Sequence, residues 1–169
     1  WRLFLTDVDA VRLDLVAQSL ARDGVEVGAA PCDVRDASAL RAIVDAAAAT
    51  AGGIDIAVHC AGVAAAGAFH HTTTEDWQWV FDINVHGVAN ACRAVIPHMA
   101  NGRGGLIINI ASAASFCTGP QMSIYNAAKA AVDAATKVEG GGVKVAGRRV
   151  ALALAVSASE AASLATQRT

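Results

Sequence analysis

Short runs of β-branched and aliphatic residues alternate with longer alanine-rich stretches of helical period along most of this 169-residue chain. That alternation constrains the fold more than any other feature, because strands separated by helical connections pair in parallel, with the helices covering both faces of the sheet. The class is therefore α/β, a doubly wound parallel sheet. Arg2 to Thr6 reads as a strand, and Asp9 to Arg22 as a helix with Ala10, Leu13, Ala17, Leu20 and Ala21 on one face. Val25 to Ala29 is the next strand. Asp36 caps a second helix with the apolar face Leu40, Ile43, Val44 and Ala47, and Gly52-Gly53 ends it before a strand from Ile54 to Val58.

Thr72, three residues ahead of Glu75, predicts a capping box for one long helix through Asn84 to about Met99. Pro97 falls near its end, where a missing N–H does less harm. Leu106 to Ala111 is the near-continuous apolar run of a strand buried on both faces, and Ser123 to about Lys137 reads as a helix. Beyond Gly140-Gly141-Gly142 periodicity fades, although Arg149 to Val156 suits a last strand. No repeat and no linker divides the chain, so a single domain over residues 1–169 is expected, with an atypical tail over 140–169.

With 54% hydrophobic and 17% charged residues the chain can bury a core and is too apolar to stay disordered. A net charge of -2 without a basic stripe argues against nucleic acid as a partner. The start does not read as a signal peptide and no span reaches the length of a membrane helix. Cys32, Cys60, Cys92 and Cys117 are scattered without a C-x-x-C pair, which argues for buried thiols in a reducing cytoplasm rather than a zinc or redox site.

Three residues carry the chemistry. Tyr125 and Lys129 stand at i and i+4 on the predicted helix, so their side chains leave one face a turn apart. A phenol is a poor acid-base catalyst at neutral pH, and a neighbouring ammonium favours the phenolate. Ser112, at the end of the buried strand, can donate to an oxygen that gains charge during reaction. Chance explains the spacing badly: one tyrosine and three lysines in 169 positions make the pair roughly a 2% event, and adding a serine thirteen residues upstream brings it to roughly one in a thousand.

Around these residues the sequence resembles the short-chain dehydrogenases/reductases, whose pattern is a serine about a dozen residues before Tyr-x-x-x-Lys. Ile107-Ile108-Asn109-Ile110-Ala111-Ser112 through Tyr125-Asn126-Ala127-Ala128-Lys129 match it. Cys32-Asp33-Val34 resembles the family's adenine-contacting Asp-Val, Ala61-Gly62 the last half of its Asn-Asn-Ala-Gly motif, and Asn84-Val85-His86-Gly87 the segment with its fourth catalytic residue. The resemblance implies a Rossmann-like fold and hydride transfer between a nicotinamide cofactor and a secondary alcohol or ketone. Tyr125 would exchange the proton, Ser112 would hold the reacting oxygen, Lys129 would assist Tyr125 and bind the nicotinamide ribose, and Asn84 would hold a water linking Lys129 to solvent. Cofactor contacts would come from Asp7, Asp33, Val34, Ala61, Gly62, Tyr125 and Lys129. Asp7, after the first strand, would accept both ribose hydroxyls of NAD and repel the 2′-phosphate of NADP, unless it only begins the turn.

The resemblance covers residues 3 to about 137. The family's first strand and glycine-rich turn have no counterpart before Trp1, so the Arg2 strand is expected to lack a central partner and the polypeptide to bind NAD weakly or not at all. A fragment that keeps the Ser-Tyr-Lys site without dinucleotide binding is the alternative reading. His59-Cys60 stands where the family has two asparagines, which removes amides that steady the central strand. Substrate choice would lie in Ala113 to Ser123 and in a loop after the last strand. The resemblance also implies a homodimer or homotetramer through the helices at Thr74–Met99 and Ser123–Lys137, whose small residues Ala89, Ala91, Ala127, Ala130, Ala131 and Ala134 would permit close approach.

Gly62 to Gly67 has P-loop spacing without the following Lys-Ser/Thr, and Gly102 to Gly105 precedes a strand, so neither reads as a phosphate loop. His70 and His71 are expected to point apart and not to bind metal. Trp77, Trp79 and Phe81 read as core or interface.

Overall fold

The computed structural model describes residues 2–137, 143–145 and 148–156. Strands β1 (Arg2–Leu5) and β2 (Glu26–Ala29) flank helix α1 (Ala10–Arg22), and helix α2 (Ala37–Ala51) leads to β3 (Ile56–His59). Helix α3 (Thr74–Phe81) passes through one π turn (Asp82–His86) into α4 (Gly87–Asn101). Then follow β4 (Gly105–Ala111), α5 (Ser123–Lys137), β5 (Val143–Val145) and β6 (Arg148–Val156).

The parallel α/β alternation appears as expected. β1 pairs with β2 in parallel, and β3, β4 and β6 form a parallel set whose outer member β6 also takes β5 antiparallel. The two sheets, β1-β2 and β3-β4-β6-β5, are not hydrogen-bonded to each other. Among the described residues β1 therefore pairs on one side alone, with β2. The open edges beside it are apolar: Leu3 and Phe4 on β1 and Ile56 and Val58 on β3 are exposed.

Helix boundaries follow their caps. Asp9 accepts from Arg12 N and Asp36 from Ser38 N and Ala39 N, while α2 ends on Gly52 in the left-handed region. The capping box lies one residue later than the spacing suggested: Thr73 and Asp76 bond reciprocally, whereas Thr72 Oγ1 donates to Phe69 O and accepts from Trp77 Nε1. The long helix is also interrupted, since the π turn at Asp82–His86 inserts an extra residue where Asn84 points inward.

Three apolar clusters hold the layers together. Val95, Met99 and Ile107 join α4 to β4, with Val44, Ile54 and Ala57 packed against them. Cys32, Leu40 and Ala91 join α2 to α4. Val80, Ile124 and Ala128 pack α3 against α5, where Trp77 and Phe81 complete the layer with stacked rings, so these aromatics are core as expected; Trp79 is exposed. On α1 only Leu13 is buried, and the alanines Ala10 and Ala21 of its predicted face lie exposed. Gly140–Gly142 and the tail after Val156 lie outside the described residues.

Candidate active site

The pocket that contains the predicted chemistry lies at the carboxyl ends of β3 and β4. It holds about 230 Å³ and is lined by Cys60, Gly62, Val63, Ala64, Ile110, Ala111, Tyr125 and Lys129. α5 delivers the last two because Ile124, Ala128 and Val132 are buried on its core side, which turns the adjoining stripe of Tyr125 and Lys129 toward the end of β4. Lys129 is 5% exposed, and its Nζ donates to Ile110 O at 2.8 Å while standing 5.6 Å from the Tyr125 ring centroid. A buried ammonium needs such a fixed acceptor to offset its lost hydration.

Asn84 and Gly62 form the floor. Asn84, 1% exposed in the π turn, accepts from Val63 N and donates to Val63 O, both at 2.8 Å, so both ends of its amide clamp the loop after β3. A β-carbon on Gly62 would lie 3.4 Å from Asn84 Oδ1 and 3.4 Å from Lys129 Nζ. The two polar groups thus converge on the bare face of Gly62, and any side chain there would enter the pocket.

Ser112 follows β4, one residue beyond the pocket wall at Ala111, and does not itself line the pocket. It is 1% exposed, and its Oγ accepts from Ala114 N at 3.0 Å as the cap of the short 3-10 turn Ala113–Ser115. That bond uses a lone pair of the hydroxyl and leaves its proton for another acceptor.

The predicted adenosine-side residues are more dispersed. Asp7 is exposed after β1, and its Oδ1 accepts from Asp9 N at 2.9 Å, so it shapes the turn that starts α1. Asp33 is held by Arg35 through both carboxylate oxygens, and this guanidinium keeps its carboxyl below the usual range. Val34 turns its side chain onto Gly87 at the start of α4, where a β-carbon would meet Val34 Cγ2 at 2.6 Å, and Asn90 Nδ2 donates to Val34 O.

Two sequence expectations need correction. His70 and His71 sit on one 3-10 turn, and their rings lie side by side with centroids 4.1 Å apart, tilted by 44°, instead of pointing apart. Among the described residues no group of His, Cys, Asp or Glu is arranged to hold a metal ion. The loss of the central-strand amides at His59-Cys60 is also partly made good, since His59 Nδ1 bonds Asn109 Oδ1 across to β4 at 2.8 Å. That bond joins residues fifty positions apart, which no local signal announces. None of the four cysteines is in a disulfide, and no described helix is long and apolar enough to cross a membrane.

A larger pocket of about 480 Å³ borders the segment where substrate choice was expected, lined among others by Ala114, Ser115, Gln121, Ser123 and Asn126. It does not contain Tyr125 or Lys129, both of which line the smaller one.

A family model described as short chain dehydrogenase matches residues 1–157. The chain is 36% identical over 134 residues to a 2,3-dihydro-2,3-dihydroxybenzoate dehydrogenase of Bacillus subtilis, covering 79% of this chain and 51% of that protein. Among solved structures, a short chain dehydrogenase/reductase from Burkholderia phymatum in complex with NAD superposes with a TM-score of 0.86 at 30% identity, covering 99% of this chain and 69% of that one. A gluconate 5-dehydrogenase from Burkholderia cenocepacia in complex with NADP and tartrate gives a TM-score of 0.74 at 31% identity, covering 79% and 52%. The chain spans about half the length of the curated relatives it matches.

Proposed function

Since this chain belongs to the short chain dehydrogenase family, we propose that it forms the proton-transfer half of an oxidoreductase acting on a secondary alcohol or a ketone. The observation that carries this reading is the placement of Tyr125 and a buried Lys129 in one pocket at the ends of the parallel strands. When bound, a nicotinamide dinucleotide supplies or takes up the hydride. Tyr125 Oη gives a proton to the carbonyl oxygen in reduction and removes one from the alcohol in oxidation. Ser112 donates to the same oxygen and steadies the charge that develops on it. The Lys129 ammonium favours the ionised phenol and offers a donor to the ribose hydroxyls. Asn84 fixes the pocket wall at Val63, and a water held beside it would connect Lys129 to solvent.

The residues present fit the nicotinamide half of such a cofactor, because Gly62 leaves an open floor that a β-carbon would fill, and Ala61 before it would border the same site. NAD is favoured over NADP by the exposed Asp7 carboxylate after β1, which accepts hydroxyls and repels a phosphate. Asp33 and Val34 would border the adenine. Segment 113–123, beside the larger pocket, would choose the substrate.

A second reading is favoured by a different observation. The glycines with left-handed backbone among the described residues, Gly24, Gly52, Gly53 and Gly104, all precede strands, whereas a pyrophosphate turn runs from a strand into a helix. On that reading these 169 residues keep the Ser-Tyr-Lys site and do not hold a dinucleotide by themselves.

The chain has a single tyrosine, so the near-ultraviolet absorbance of phenolate reports Tyr125 alone. Titrating it in the chain and in Lys129→Met tests the pair directly and needs no cofactor. The midpoint should rise when the ammonium is removed; an unmoved midpoint would remove the basis for proton transfer by Tyr125.

Self-association through the outer faces of α4 and α5 is part of the proposal, supported by the small, partly open Ala89, Ala127, Ala130, Ala131 and Ala134 and by Phe116, which is 69% exposed. Ala91 does not belong to that face, because it is buried against Cys32 and Leu40. Sedimentation should show a dimer or tetramer at micromolar concentration, and a stable monomer would count against it.

A further inference from the structure

A polar cluster beneath the pocket takes no part in the chemistry above. Asn109 on β4 is 2% exposed, and its Nδ2 donates to Thr136 Oγ1 of α5 at 3.1 Å. The Thr136 hydroxyl gives its own proton to Val132 O at 2.7 Å, so it can only accept from Asn109. That fixes the amide: Nδ2 faces α5 and Oδ1 faces β3. His59 Nδ1 lies 2.8 Å from Oδ1, and since an amide oxygen only accepts, Nδ1 carries the proton. The nearby Cys92 Sγ, 3.8 Å from Nδ1 and 3.9 Å from Oδ1, meets a nitrogen that cannot take its proton, and burial pushes its thiol up. The trio is therefore not an activated thiol.

We propose that Asn109 is the positioning residue of this site: a single amide ties β3 through His59 and α5 through Thr136 to β4, and so sets the face of α5 that carries Tyr125 and Lys129 against the end of β4 and the wall after β3. The inference rests on the proton-transfer reading above. Thr136 is seven residues after Lys129, two turns along the same stripe of α5. The helix is pinned to β4 twice, at Ile110 O by Lys129 and at the Asn109 side chain by Thr136. One pin would let the helix pivot; two on consecutive residues of a strand fix its rotation and its height. His59 ends β3 and runs directly into Cys60, Gly62 and Val63 of the pocket wall, so its bond to Asn109 fixes the other side of the same pocket.

The test follows the Tyr125 titration in His59→Leu and Thr136→Val, which remove one tie each at similar volume, and in His59→Asn and Thr136→Ser, which can remake it. With the ties cut, the phenol midpoint should move up by about half a pH unit or more, as the ammonium loses its set position, and the conservative variants should restore it. Unmoved midpoints in folded His59→Leu and Thr136→Val would overturn the inference. So would a shift that comes with lost near-ultraviolet circular dichroism, because the cluster would then hold the fold and not the site. Lys129→Met in the same experiment separates the two levels. If it shifts the midpoint while the tie variants do not, only the role of Asn109 fails; if it shifts nothing, both readings fall.

Discussion

Lys129 Nζ is fastened to the main-chain carbonyl of Ile110, 2.8 Å away, which stations the charge of α5 at the end of β4. A buried ammonium is kept at a cost in stability, and that cost is informative. Lys129→Met replaces it by an apolar chain of similar length, so the variant should unfold at the same or a higher urea concentration than the parent, although the Tyr125 titration is disturbed. Loss of more than about 2 kcal/mol in urea unfolding would show instead that the ammonium holds the fold.

Burial holds the His59 imidazole below its ordinary pKa, and the Asn109 bond opposes that effect only in part. Below about pH 6.5 the unfolded chain takes up a proton that the folded one resists, so the unfolded state binds more protons and stability is lost as the pH is lowered. Above that value both states are neutral there and the residue contributes no slope. Urea midpoints measured from pH 7.5 down to 5 should fall more steeply for the parent than for His59→Asn. Parallel curves would contradict the half-buried, neutral assignment.

Gly87 lets α4 start against Val34, where a β-carbon would meet Val34 Cγ2 at 2.6 Å and Cβ at 3.1 Å. In open helix an alanine would stabilise, but overpacking should make Gly87→Ala lose about 1–3 kcal/mol in urea unfolding. A variant as stable as the parent would mean that the Val34 segment yields freely.

Expressed as these 169 residues, the chain should bind NADH weakly or not at all, because the described residues offer no glycine turn from strand to helix for the pyrophosphate. Asp7 and Asp33 would add repulsion toward its phosphates at low salt. Isothermal titration reading micromolar affinity would show a pyrophosphate site elsewhere and would exclude the fragment reading.

Much of this was legible locally. The interval from Ser112 to Lys129, the bounds of α5 and the caps at Asp9 and Asp36 depend on residues within a few positions of one another, and side-chain type plus helical period express such relations directly. The capping box slipped by one residue because Thr72 and Thr73 are equally able caps, and the choice was made by Trp77 Nε1 bonding Thr72. The π turn was invisible because helical period continues through it. Within it Asn84 bonds Val63, twenty-one residues upstream, a pairing that no local pattern expresses.

The sequence alone determined that the chain alternates strands and helices in parallel and that a phenol and an ammonium share one helix face, since both are consequences of backbone period. Only the tertiary structure decided what that face meets: the carbonyl of Ile110, the bare side of Gly62, and the amide of Asn109 joined to His59. Those partners are set by strand register, His59 opposite Asn109 on β3 and β4, and register is the outcome of packing the whole sheet and is not written in any short stretch of chain.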